Sequence, residues 1–247
     1  MHKPINALEE NEYKYLILFN CCTAFVCMNL QLALNTCLSY IFSSSVYAYS
    51  LFTGIYLMAM GGGALIVHFI NVDSNNIVKI VLLNAFFIMI LANPGITGLI
   101  YYNEYLDHQF RVTGNESLVI KYFLSVSLTL LLGIASGVEL PLFSKLFKYS
   151  SKSGSQDLIG ILVSDYLGAF IGTILFAFII YPFSGIIHSV LIPQSILFFF
   201  MLFIMKKFSL FKKFKLMLIL ITFKIILQFI SYFQLDKFYQ HLDDLTL

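Results

Sequence analysis

Long apolar runs separated by short polar clusters organise this chain. A membrane-crossing helix takes about 20 mostly apolar residues. About seven stretches reach that length, over 15–42, 46–70, 77–102, 118–143, 158–181, 186–205 and 216–233. They are apolar on nearly all sides, so no single amphipathic face marks a boundary with water. A β-barrel would show short alternating segments instead of long runs. The pattern predicts an all-α, polytopic transmembrane bundle forming one integral membrane domain. A polar leader would cover 1–14, the bundle 15–235 and a short polar tail 236–247.

Composition narrows the function classes. Of 247 residues, 59% are hydrophobic and 11% charged, against the quarter or so that a soluble domain carries. That excludes an ordinary cytosolic enzyme. Disorder needs low hydrophobicity and high charge and is excluded too. A net charge of +2, with Arg111 as the single arginine, leaves no basic face for nucleic acid.

The first run is expected to stay in the mature protein. It is too long for a signal peptide, follows a polar leader, and precedes no small-residue cleavage site. It holds all four cysteines, Cys21, Cys22, Cys27 and Cys37. Their spacing lacks paired CxxC elements, so apolar packing is the expected role and no metal site is expected. Lysines after the fourth run (Lys145, Lys148, Lys152) and the sixth (Lys206, Lys207, Lys212, Lys213, Lys215) predict two cytoplasmic loops. The leader then lies inside, and the tail outside if the seventh run spans. That run contains Lys224, and a surface or re-entrant path would put the tail inside. Pro94-Gly95 is expected to break or kink the third helix, and Pro182 to stop or bend the fifth.

Ionisable groups inside a bilayer are costly, which makes each a functional candidate. Glu139, Asp165 and Lys224 form the short list. At 1.5 Å per residue, Glu139 lies roughly 9 Å below Lys145, and the other two lie at similar depth. The fourth and fifth helices make a hairpin, so the two acids are expected to face one another. Gly133 and Gly137 precede Glu139, while Gly168 and Gly172 follow Asp165. Such small-xxx-small spacing allows close helix packing. Lys224, Gln228 and Ser231 recur at helical spacing and would line the same cavity. The functional reading is a cation site whose carboxylates offset the desolvation of an amine. The structural alternative has Lys224 neutralising one acid while the other bonds Ser136 or Ser164. Gly61-Gly62-Gly63 lies inside an apolar run, and tight packing is expected there. His68 and His188 carry no paired-ligand spacing, and no nucleotide loop or nucleophile–base arrangement stands out.

Two strings carry a resemblance. Gly137-Val138-Glu139-Leu140-Pro141-Leu142, then Ser164-Asp165-Tyr166-Leu167-Gly168-Ala169-Phe170-Ile171-Gly172, resembles the membrane domain of membrane-bound spermidine synthase-like proteins. Phe176, Pro182 and Gly185 extend the match, with Ala177 where the family has proline. Upstream, Tyr40, Ser44, Val46 and the stretch from Ser50 to Gly61 fit the family pattern. Gln31 stands in place of its glutamate, and Ser43 in place of a loop glycine. The resemblance implies a bacterial plasma membrane location and a polyamine connection. Members usually continue into a soluble aminopropyltransferase domain; this chain ends at Leu247 without the glycine-rich turn that would bind the nucleoside. It is therefore expected to be non-catalytic by itself and to need no cofactor.

The leading expectation is a subunit that binds or moves polyamines, or anchors a separate soluble aminopropyltransferase. Glu139, Asp165, Tyr166, Lys224, Gln228 and Gln31 are its candidate ligand residues. A small-cation or proton-coupled transporter and a purely structural scaffold are the alternatives. Expected partners are the lipid bilayer, a polyamine, the soluble enzyme and a second copy of the chain.

Overall fold

A computed structural model describes residues 10–70, 74–113, 118–150 and 154–207; the seventh apolar run, with Lys224 and Gln228, lies outside the described residues. In chain order the elements are α1 (Glu10–Ile41), α2 (Ser45–Phe69), α3 (Ser74–Thr113), α4 (Leu118–Ser150), α5 (Gly154–Leu175), a π-helical turn (Phe176–Ile180) and α6 (Tyr181–Lys207). The chain divides into two compact units, Met1–Met201 and Leu202–Leu247. Everything below concerns the first unit, apart from the last turns of α6.

Among the described residues, five helical runs are long and apolar enough to cross a membrane: Lys14–Ile41, Ser45–Phe69, Ile77–Asn103, Val119–Leu146 and Leu158–Lys207. The last joins the fifth and sixth predicted runs into 50 residues. At 1.5 Å per residue this is about 75 Å, more than twice the hydrocarbon thickness of about 30 Å. Helical geometry fails inside it at Gly185, with φ 72° and ψ −178°. Only a residue without Cβ takes that conformation cheaply. The interruption expected from Pro182 thus falls three residues later, and a widened π turn precedes it.

Two predicted boundaries shift. α3 passes through Pro94 without ending and continues to Thr113, and α4 passes through Pro141 and continues to Ser150. A helix tolerates an internal proline where neighbouring groups in the bundle take up the freed backbone carbonyl. The polar stretch around Glu104 therefore begins as helix.

The principal pairings are α2 on α4, α1 on α5 and α3 on α4. Lipid tails are as apolar as leucine, so these contacts gain from close packing, not from leaving water. Glycines set the distances. A methyl group at Gly137 would fall on the Met60 carbonyl, and one at Gly63 on the Ile134 carbonyl. A Cβ at Gly133 would come within 2.6 Å of the Ala59 Cβ and 2.8 Å of the Tyr56 carbonyl. On the other interface, a methyl at Gly168 would strike the Cys21 carbonyl, and one at Gly172 would lie 2.8 Å from the Phe25 carbonyl. The glycines of α4 and α5 thus bring those helices against α2 and α1, not against each other as the hairpin reading had it. Of the Gly61-Gly62-Gly63 triplet, Gly63 alone makes a close approach; Gly61 and Gly62 have nothing within 4 Å.

Aromatic rings fill the space around α1. Phe19 and Phe143 lie 6.0 Å apart between centroids, and Phe19 stacks on Phe200 of α6 at 6.1 Å. At one end of the α2–α4 pair, Lys145 Nζ donates to the Val67 carbonyl at 2.5 Å and the Ile70 carbonyl at 2.8 Å. This ties down carbonyls that the end of α2 leaves without intrahelical partners.

Candidate functional site

α1 carries polar residues at positions 20, 23, 27, 31 and 35, a spacing of three and four that keeps them on one side of the helix. Asn20, Thr23, Gln31 and Asn35 are all buried. Three neighbouring helices, α5, α4 and α2, meet this stripe with polar groups. On α5, Ser164 Oγ and the Ile161 carbonyl accept from Asn20 Nδ2 at 2.8 and 3.2 Å. On α4, Glu139 Oε2 accepts from Cys27 Sγ at 3.2 Å. On α2, Thr53 Oγ1 accepts from Asn35 Nδ2 at 2.8 Å, and Tyr49 OH pairs with Thr36 Oγ1 at 2.7 Å. From Asn20 to Asn35 the stripe extends for about 22 Å along the helix axis.

Glu139 occupies the middle of this seam and is 7% exposed. Three helices surround its carboxyl group. Thr23 and Cys27 approach from α1, and Asp165 of α5 lies within electrostatic reach. Tyr56 of α2 donates to Ser136 Oγ at 2.6 Å, and the Ser136 hydroxyl lies against the Cys27 sulfur. Tyr56, Ser136, Cys27 and Glu139 therefore form one buried polar cluster drawn from α1, α2 and α4. Burying a carboxyl group costs several kcal/mol unless it is paired or neutralised, and a thiol is a weak donor.

The second carboxyl oxygen, Oε1, has no hydrogen-bond partner among the described residues. Thr23 does not supply one, because its single hydroxyl proton is directed at the Phe19 and Asn20 carbonyls, at 3.0 and 2.9 Å. Asn20 Oδ1 and Asn35 Oδ1 are likewise buried without a partner. The Asn20 amide cannot simply be reversed, since its nitrogen faces the Ile161 carbonyl. Each orphaned acceptor costs about 1–3 kcal/mol. The seam thus offers hydrogen-bond acceptors and lacks donors. An ammonium group, with three donors and no acceptor, complements it; so does water.

The predicted ligand residues separate on this map. Glu139 is interior and Asp165 half-buried, one residue from the Ser164 that Asn20 holds. Asp165 also acts on Cys21 and Cys27. Gln31 is buried one turn beyond Cys27. Tyr166, by contrast, is 70% exposed. α1 links the two acids: it holds Glu139 through Cys27 and the neighbour of Asp165 through Asn20. Cys27 is therefore more than the apolar filler expected of it. All four cysteines are free thiols, and no cluster of three or more His, Cys, Asp or Glu suited to a metal ion occurs among the described residues.

The α1 asparagines were missed from sequence, although their spacing with Cys27 and Gln31 was the available signal. A separate small pocket, lined by residues including Leu99, Asn103, Lys121 and Ser125, lies away from Glu139 and has room for about one water.

Comparison with known proteins gives one informative match. Over 151 residues, 61% of its length, the chain is 28% identical to a polyamine aminopropyltransferase of Oceanobacillus iheyensis. The matched part is 27% of that protein, so the chain spans about a quarter of its length. No family model and no solved structure matches. The chain is a membrane-type helical bundle distantly similar to a polyamine aminopropyltransferase.

Proposed function

We propose that this chain is a multi-pass plasma membrane protein that binds or moves polyamines through Glu139, with Asp165 beside it, and performs no aminopropyl transfer by itself. The observation that carries the reading is Glu139 Oε1, a buried carboxyl oxygen without a donor among the described residues, in a seam of acceptors. A polyamine brings what the seam lacks, ammonium donors on an apolar chain, and the similarity to a polyamine aminopropyltransferase points to the same ligand class. Asp165, being half-buried, would receive the guest first and Glu139 would hold it deeper. The reading takes seven spans, with α5 and α6 as two helices hinged at Gly185 and residues 216–233 as the seventh.

The test is spermidine binding to the purified full chain by calorimetry. Glu139→Gln should weaken binding at least about tenfold, the scale of a lost charge-assisted hydrogen bond, while the protein stays folded. Unchanged affinity in a well-folded variant counts decisively against the site. Exchange of labelled spermidine in liposomes then separates movement from binding.

A second reading draws on the name of that relative: the chain would anchor a soluble aminopropyltransferase. A pull-down from native membrane that recovers such an enzyme supports it.

A further inference from the structure

Glu139 Oε1 must satisfy two requirements at one atom. It lies in a membrane-spanning helix with no donor aimed at it among the described residues. Its carboxyl group also has no basic side chain among the described groups that act on it. Those facing it are the thiols of Cys22 and Cys27 and the Thr23 hydroxyl from α1, Asp165 from α5 and the Tyr56 phenol from α2. All are neutral or acidic. Lys145, six residues along the same helix, has its ammonium on the Val67 and Ile70 carbonyls. An isolated negative charge is strongly disfavoured in such surroundings. Among the described residues nothing supplies the positive partner that a charged Oε1 needs, which leaves a proton or a cationic guest to fill that place.

We infer that the site works by exchange, releasing one proton from Glu139 for each ammonium it takes up. This deepens the polyamine reading and rests on it. In the empty site the proton is bonded to Oε1 while Oε2 keeps the Cys27 thiol contact. On uptake the O–H bond breaks and the proton leaves to water. An N–H of the ammonium then donates to the vacated oxygen. The charge at Glu139 is balanced before and after, first by the proton and then by one ammonium, while the other ammonium groups of the polyamine must find Asp165 or water. Proton and amine exclude each other because they compete for one oxygen atom. This exclusion is the elementary requirement for driving an amine across a membrane with a proton gradient.

The experiment uses the purified full chain in detergent, with spermidine as the probe, in weakly buffered solution containing a pH indicator. Calorimetry in two buffers of different ionisation enthalpy measures the same quantity independently. The expected result is roughly one proton released per spermidine bound, and affinity that tightens about tenfold per pH unit while the carboxyl group is protonated. Glu139→Gln cannot release a proton, so release should vanish and any residual binding should lose its pH slope. Glu139→Asp keeps the acid and should retain the release at lower affinity, which guards against a folding defect in the first variant. Spermidine binding to the wild-type chain without proton release overturns the exchange and leaves the binding site standing. Full proton release from a folded Glu139→Gln variant overturns it as well. Absence of spermidine binding to the wild-type chain overturns both readings.

Discussion

The α2–α4 and α1–α5 interfaces use the same packing device and differ in chemistry. In both, glycines let one helix lie on the carbonyl groups of the other. Between α2 and α4 the contact is mostly backbone and aliphatic, crossed by the Tyr56–Ser136 hydrogen bond. Between α1 and α5 the glycines lie beside Asn20, Asn29, Ser164 and Asp165, and leave acceptor oxygens unpaired on Asn20 and Asn29. The first interface is nearly saturated. The second is close-packed yet chemically unfinished. Proximity and polarity are therefore separable: glycines determine how near two helices come, and the groups flanking them determine what the gap can do.

The strongest way to break this comparison is at Gly137. Leucine there would need space now occupied by the Met60 backbone, and several kcal/mol of destabilisation is expected, more than the roughly 1–3 kcal/mol typical of overpacked cores. Loss of the monodisperse peak in size-exclusion chromatography checks it. Gly168→Leu should do the same at the α1–α5 interface, since the Cys21 carbonyl is equally fixed. If one variant is tolerated and the other is not, the two interfaces do not share a device.

A smaller effect is expected at Asn20. Asn20→Ala removes hydrogen bonds to Ser164 and Ile161, and buried interhelical hydrogen bonds in membranes contribute about 0.6 kcal/mol each. Thermal unfolding in detergent should show a modest loss, whereas spermidine affinity should fall further as α5 and Asp165 lose their register. The smallest effect is reserved for Gly61. Nothing lies within 4 Å of its added Cβ, so Gly61→Ala should stabilise α2 by up to about 1 kcal/mol through helix propensity. Gly63→Ala, two residues away, should destabilise, and the opposite signs sharpen the distinction between a packing glycine and an incidental one.

Helix positions were legible from apolar runs because burial in lipid demands continuous length. The break between the fifth and sixth runs was legible through Pro182, although it falls three residues later, at Gly185, which no expectation singled out as a break. The partners of the glycines were not. Gly133 and Gly137 show that something approaches α4 closely, but hairpin connectivity suggested α5, and the fold supplies α2. Glu139 was identifiable as a costly ion in an apolar run. Its thiol partner was not, because Cys27 is 112 positions away and the polar stripe it belongs to in α1 does not say which helix it faces. Asn20 and Asn35 are uncharged and were overlooked beside the acids, although each is as deeply buried as Glu139 or more so.

The Lys145 clasp on the end of α2 has a consequence for access. A charged amine and the open carbonyls it holds cannot be immersed in acyl chains, so this pair marks where hydrocarbon gives way to headgroups on one side of the sheet of lipid. Counting back along α4 places Glu139 about 9 Å beneath that level, under a third of the bilayer's apolar depth of about 30 Å. A solute arriving from this side has less than two helical turns of bundle to pass. From the opposite leaflet it would face more than twice that distance, so Glu139 sits asymmetrically between the two leaflets before any moving part is considered.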